Sequence, residues 1–222
     1  MKSDMKHASL RAILLLSALA CLAAVSSAQS PWVERPGPVK NEELKRELLR
    51  MLEEDQSVRA PFKEGRPLTE AETRAMQARD EADTKRLTEI LDREGFPGVR
   101  LVGLNATRAF ITMLLHSPSL KLQKRALPYV ERAARRREIP PDDFAMLTDD
   151  VLAAEHKPQL YGTNFKFVGG RVALEETQDA AHLDARRRKL GLAPIAEYAK
   201  ELADFYKMPL DESSLPHAPA RR

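Results

Sequence analysis

The five histidines of this 222-residue chain are the side chains that change charge nearest neutral pH, and four of them are poorly placed for acid-base chemistry. His7 sits in the basic start of the chain and His217 near its end, while His156 and His182 follow helical patterns on polar sides and are expected to be exposed. No two histidines stand four apart around a glutamate, the spacing that puts two imidazoles on one helix face, so no metal is expected. His116 differs, because it closes the most apolar stretch of the chain, residues 104–115. A titratable ring near a core needs a hydrogen-bond partner. Two readings follow: a structural histidine interacting with the C-terminal end of its own helix, or a general base or ligand-binding group. The second requires an orienting carboxylate, for which Asp149, an acid at the start of an apolar turn with no obvious cationic partner, is the candidate. Asp149 reads equally well as an exposed helix residue.

A polar run formed by Gln159, Tyr161, Gly162, Thr163 and Asn164 leads into a β-hairpin pattern. Loops held by a rigid scaffold are where binding groups concentrate, so these residues are candidate ligand contacts; the alternative is a turn that caps neighbouring helix ends. The chain has no Gly-x-Ser-x-Gly elbow, phosphate loop or dinucleotide fingerprint, so no cofactor is expected and a nucleophilic enzyme would need an unmarked Ser or Thr. The basic runs Arg135-Arg136-Arg137 and Arg186-Arg187-Arg188-Lys189 lie on predicted helices among acids, without interleaved aromatics. They read as solvated faces, and no nucleic-acid partner is expected.

The elements that must position these groups are mostly helical. Asn41 caps a helix carrying Leu44, Leu48, Met51 and Leu52, with Glu42 and Glu43 at the positive end of its dipole. Thr69 and Glu72 form a capping box before a second long helix. Its stripe runs through Met76, Asp83, Leu87, Ile90 and Leu91, and its first half is polar where aliphatic residues are expected, so Asp80 and Asp83 face either solvent or a cleft. Gly95 ends it. The stretch from Leu104 to Leu115, apolar on nearly all sides, predicts the central buried helix. Ser117 and Pro118 predict the start of the next, kinked at Pro128. Pro140-Pro141 precedes a further amphipathic helix through Phe144, Leu147, Val151 and Leu152. Residues 164–174 then predict a hairpin turning at Gly169-Gly170, with Phe165, Phe167, Val172 and Leu174 on one buried face. Two last helices follow, one stopped by Gly191 and one opened by Pro194. The expected architecture is mainly α: a single domain over 41–208 of about seven helices with one small hairpin, and a disordered tail over 209–222.

The amino terminus predicts export. Lys2, Lys6 and Arg11 precede an apolar run from Ala12 to Val25 and the small residues Ser26, Ser27 and Ala28, the order of a secretory signal peptide over 1–28. The run is too short for a permanent membrane span, so no transmembrane helix is expected in the mature chain. Residues 29–40, with Pro31, Pro36, Gly37 and Pro38, read as a flexible linker. The destination is periplasmic or secreted; lipidation at Cys21 is the less favoured route, since Ala18, Leu19 and Ala20 fit a lipoprotein signal poorly. Cys21 is the sole cysteine, so the mature chain has no disulfide. Three basic residues and one acidic residue leave with 1–28, which lowers the formal net charge from +3 to +1 and makes the basic pI partly a property of the leader.

The combination of Met51, Asp55-Gln56 and Arg59, Gly95-Phe96-Pro97, Val102-Gly103, His116, Gln123, Leu147-Thr148-Asp149, Gln159 with Tyr161-Gly162-Thr163, and Arg187 with Gly191-Leu192 resembles the bacterial domain-of-unknown-function family DUF6624. The resemblance extends from about Leu44 to Tyr198. The family usually has Trp at Phe96, Gln at Leu115, Arg at Asp150 and Gln at Asn164. It implies candidate positions, among them Asp55, Gln56 and Arg59, without assigning a reaction. The reading favoured by the residues is an exported binding module whose His116, Asp149 and Gln159 to Asn164 segment line a polar pocket. The alternatives are a metal-independent hydrolase with His116 as base, and an interaction scaffold using Asp55, Gln56, Arg59 and the hairpin as contact surfaces. The partner is a small ligand or a protein that the sequence does not name. The mature protein is expected to begin at Gln29: intact-mass analysis of exported material should give that terminus, and a diacylglycerol-modified Cys21 would contradict it.

Overall fold

A computed structural model describes residues 38–63 and 66–216. The expected signal peptide, residues 29–37 of the linker and the last six residues lie outside the described residues. The fold is mainly α-helical with one two-stranded antiparallel hairpin. Within the span expected as one domain, the chain forms two compact units, described over 38–144 and 145–216.

In the first unit, α1 (Glu42–Ser57) starts where the Asn41 side chain accepts a hydrogen bond from the Leu44 N–H at 3.0 Å. Its buried stripe is Leu44, Leu48, Met51 and Asp55. A short helix, α2 (Ala60–Lys63), follows, and α3 (Glu70–Arg93) opens on the expected capping box: the Thr69 hydroxyl accepts from the Glu72 N–H, and the Glu72 carboxylate accepts from the Thr69 N–H at 2.8 Å. After α4 (Val99–Val102), Gly103 takes φ +84°, a conformation that a side chain would strain, and α5 (Leu104–His116) begins at once. Eleven α5 residues are buried, so it is the unit's central helix, with α1, α3, α4 and α6 (Leu120–Arg135) packed on it. Two starts differ in detail. The cap of α6 is Ser119, which accepts from the Leu122 N–H at 3.3 Å, rather than Ser117. α7 spans Pro141–Ala154, with the unit boundary after Phe144.

In the second unit, β1 (Phe165–Val168) pairs with β2 (Arg171–Leu174) in the expected register, Phe165 opposite Leu174 and Phe167 opposite Val172. Gly169 and Gly170 both take positive φ, as a two-residue turn between right-twisted strands demands. Phe165, Val172 and Leu174 are buried together with Leu183 of α8 (Leu183–Leu190) and with Ile195, Tyr198 and Leu202 of α9 (Ile195–Tyr206). Burying each such apolar side chain contributes about 1.5–3 kcal/mol. Phe167 is a correction: it is only partly buried, its ring edge-on to Tyr206 at 5.2 Å between centroids. The expected disordered tail is a second correction for its described part. The Val172 N–H donates to the Pro209 carbonyl, the Asp211 N–H donates to the Val172 carbonyl, and a 3-10 turn at Glu212–Ser214 offers its Ser214 hydroxyl to the Leu174 N–H at 2.9 Å. The chain after Pro209 thus lies along β2.

Candidate functional site

Two buried helix stripes in the first unit carry acids where aliphatic residues are expected. Asp55 ends the α1 stripe Leu44, Leu48, Met51, and Asp80 and Asp83 sit between Met76 and Leu87 on α3. This corrects the solvent-facing reading of Asp80 and Asp83. Helical spacing of four, three and four keeps all of these on the core face. His116, the last residue of α5, meets them there, and it and Asp55 are each 1% exposed.

The geometry is a chain of charge-assisted contacts. His116 Nδ1 lies 2.9 and 3.0 Å from the two Asp55 oxygens, so that nitrogen must carry a proton. One Arg59 nitrogen donates to Asp55 Oδ1 at 2.7 Å and to the Asp55 carbonyl at 3.1 Å, while the other donates to Asp80 Oδ1. The Gln56 amide donates to Asp55 Oδ2 at 2.9 Å. At the rim, Arg79 donates to both oxygens of Asp83 and to Glu54. His116 Nε2, although buried, has no hydrogen-bond partner among the described residues.

The two acids that hold Arg59 respond oppositely to this setting. Burial works against the charge on Asp55, but the hydrogen bond and charge of His116, the Arg59 charge and the Gln56 amide hold its carboxyl below the ordinary value. Burial pushes Asp80 up, with Arg59 offsetting it only in part, and burial likewise pushes Asp83 up against Arg79. Four carboxylates, those of Asp55, Asp80, Asp83 and the rim residue Glu54, face the two guanidiniums of Arg59 and Arg79.

A hydroxyl chain runs beside the cluster. Thr84 donates to the Asp80 carbonyl at 2.7 Å, so Ser117, 2.7 Å from Thr84, donates to Thr84 while accepting from the Ser119 N–H. The Ser117 proton is therefore engaged by Thr84, and the residue is not set up as a His-activated nucleophile. The Gln123 amide donates to the Leu114 and Ser117 carbonyls and so satisfies the end of α5.

The second unit holds the other expected site residues. Asp149 is buried, which corrects its exposed reading, and its oxygens accept from the N–H groups of Leu160, Tyr161 and Thr163 and from the Thr163 hydroxyl at 2.7–3.2 Å. Burial pushes its carboxyl up, and those donors oppose the shift. The Gln159 amide donates to the Asn164 and Glu175 carbonyls and accepts from the Asn164 N–H. Gly162 makes the loop close, since its φ is +71° and a Cβ there would lie 3.0 Å from Ile195. Arg187, read as part of a solvated run, is instead 2% exposed, donating to the Ala193 and Tyr161 carbonyls with its guanidinium over the Tyr198 ring. Asp149, Gln159 and Thr163 thus spend their polar atoms on the loop itself. The carboxylate in contact with His116 Nδ1 is that of Asp55.

Residues 42–211 match the profile of a family of unknown function, DUF6624. The chain belongs to that family. No curated protein and no solved structure matches it. Of the DUF6624 positions singled out in the sequence, Asp55, Gln56, Arg59 and His116 meet in the first unit, and Asp149, Gln159, Tyr161, Thr163 and Arg187 in the second. Asp55 and Arg59 are buried, so they do not form the contact surface expected of an interaction scaffold. Sequence reasoning missed the part played by Asp80, whose signal was its place on an apolar stripe. Among the described residues no group of acids, histidines or cysteines is arranged to hold a metal, and no helix is long and apolar enough to cross a membrane.

Asp55→Asn removes one charge from a buried network and should destabilise the protein by about 3–5 kcal/mol at neutral pH. Because the Asp55 carboxyl is held below its ordinary value in the folded state, its contribution is present above the unfolded-state value and is lost as pH falls through the folded one. In urea denaturation the gap between parent and variant should therefore narrow with acidification; a gap independent of pH would contradict the ion pairing.

Proposed function

We propose that this DUF6624 protein is an exported bacterial binding module, periplasmic or secreted, that takes a small polar ligand at His116. The export reading rests on the amino-terminal sequence pattern, with lipid anchoring at Cys21 as the less favoured route. The observation that supports the binding site is the His116 ring: Nδ1 is fixed by Asp55, whereas buried Nε2 lacks a partner among the described residues. A buried polar atom without a partner costs about 1–3 kcal/mol, which a ligand hydroxyl, amide or carboxylate would recover. Asp55 and Arg59 act as positioning residues that keep the ring from turning.

The Asp55–His116 pair also favours a second reading, hydrolysis, in which His116 is the general base for a water at Nε2. Ligand-observed NMR with a panel of small polyols, amides and carboxylates tests the binding reading. At least one compound should bind the parent and lose its signal with His116→Gln, provided circular dichroism shows the variant folded. Equal binding by parent and variant would overturn the site, and chemical turnover of the bound compound, abolished by the same variant, would replace binding by hydrolysis.

A further inference from the structure

The first unit has a concave site that shares no residue with the His116 cluster. A cavity of about 390 Å³ opens where α4 meets the end of α6, lined by Phe96, Val99, Leu101, Arg100, Arg136 and Glu138 together with Gly98. That volume lies in the lower range of small-molecule pockets. Its apolar side is braced by aromatic contacts: the Phe96 ring is edge-on to buried Phe110 at 5.8 Å and stacked on Tyr129 at 6.0 Å, with the Arg132 guanidinium over the Tyr129 ring at 4.6 Å.

Its charged side is different. Some arginines of this unit are matched by acids, Arg125 by Asp92, Arg135 by Glu131 and Arg108 by Asp143. Arg100 and Arg136 have no carboxylate within ion-pair distance among the described residues, and both border the same cavity. Two guanidiniums beside an aromatic wall recognise an anion attached to an apolar body, the guanidinium fork matching a carboxylate in particular. Glu138 on the same rim repels a second negative charge and so disfavours phosphate dianions. We infer that this cavity binds a small organic monocarboxylate with an aromatic or short aliphatic body, the carboxylate between Arg100 and Arg136 and the body against Phe96, Val99 and Leu101.

The test is an NMR titration of the full chain with phenylacetate, its neutral counterpart phenylacetamide, and phenyl phosphate. Phenylacetate should give saturable shifts centred on residues 98–101 and 136–138, and loss of the charge should weaken binding at least about tenfold, the equivalent of one charge-assisted contact. The surface double variant Arg100→Gln/Arg136→Gln should lose the phenylacetate response while keeping the parent's melting temperature. Phe96→Leu should weaken all three probes alike. Equal binding of phenylacetate and phenylacetamide, tighter binding of phenyl phosphate, or no saturable shift with phenylacetate would each overturn the assignment.

Discussion

The first unit is organised around one carboxylate that has left water. Asp55 is buried among the side chains of α1, α3 and α5, where an uncompensated charge would cost several kcal/mol. It is tolerable there only because Arg59 and His116 both reach it, and Arg59 in turn needs Asp80. The three helices are thereby tied at one depth and one rotation. A slip of any of them by a single residue would turn a stripe position away and strand the other charges, so the cluster specifies register as well as contributing attraction. Apolar residues of equal volume would pack there without demanding that alignment.

The same chemical device occurs in the second unit with a different outcome. Asp149 also buries a carboxylate, yet it gathers three backbone N–H groups and a hydroxyl, and the Gln159 amide completes the pairing of the same loop. Those bonds account for why a polar run precedes the hairpin: they replace the strand ladder that a short irregular loop lacks. His116 stands apart because one face of its ring is fully engaged and the other is not. The contrast between a satisfied and an unsatisfied polar group is what distinguishes a structural clamp from a candidate site here.

Local rules made much of this legible from the sequence. Asn41 and the Thr69–Glu72 box act as caps because cap chemistry involves residues three apart, and the hairpin register follows from Gly169-Gly170 because a two-residue turn fixes every pair beyond it. What sequence reading lost was non-local. Asp80 and Asp83 leave solvent or a cleft open in the sequence because acids usually face water, although their places between Met76 and Leu87 mark them as core-facing. Arg187 was hidden in a basic run, although Leu183 one turn earlier is on the same buried face. The pairing of residues 209–211 with β2 joins segments some forty residues apart and leaves no local pattern. The contact between Asp55 and His116 is equally non-local, joining residues 61 positions apart with no pattern in the sequence to mark it.

The His116 ring joins the buried ion cluster to the candidate site, and its tautomer can be read directly. A two-bond proton–nitrogen correlation spectrum of the imidazoles, recorded on parent and on Asp55→Asn, should show His116 protonated at Nδ1 in the parent, with that proton strongly downfield, and the downfield proton lost in the variant. A parent His116 protonated at Nε2 alone, or a Nδ1 proton unchanged when Asp55 is replaced, would contradict it.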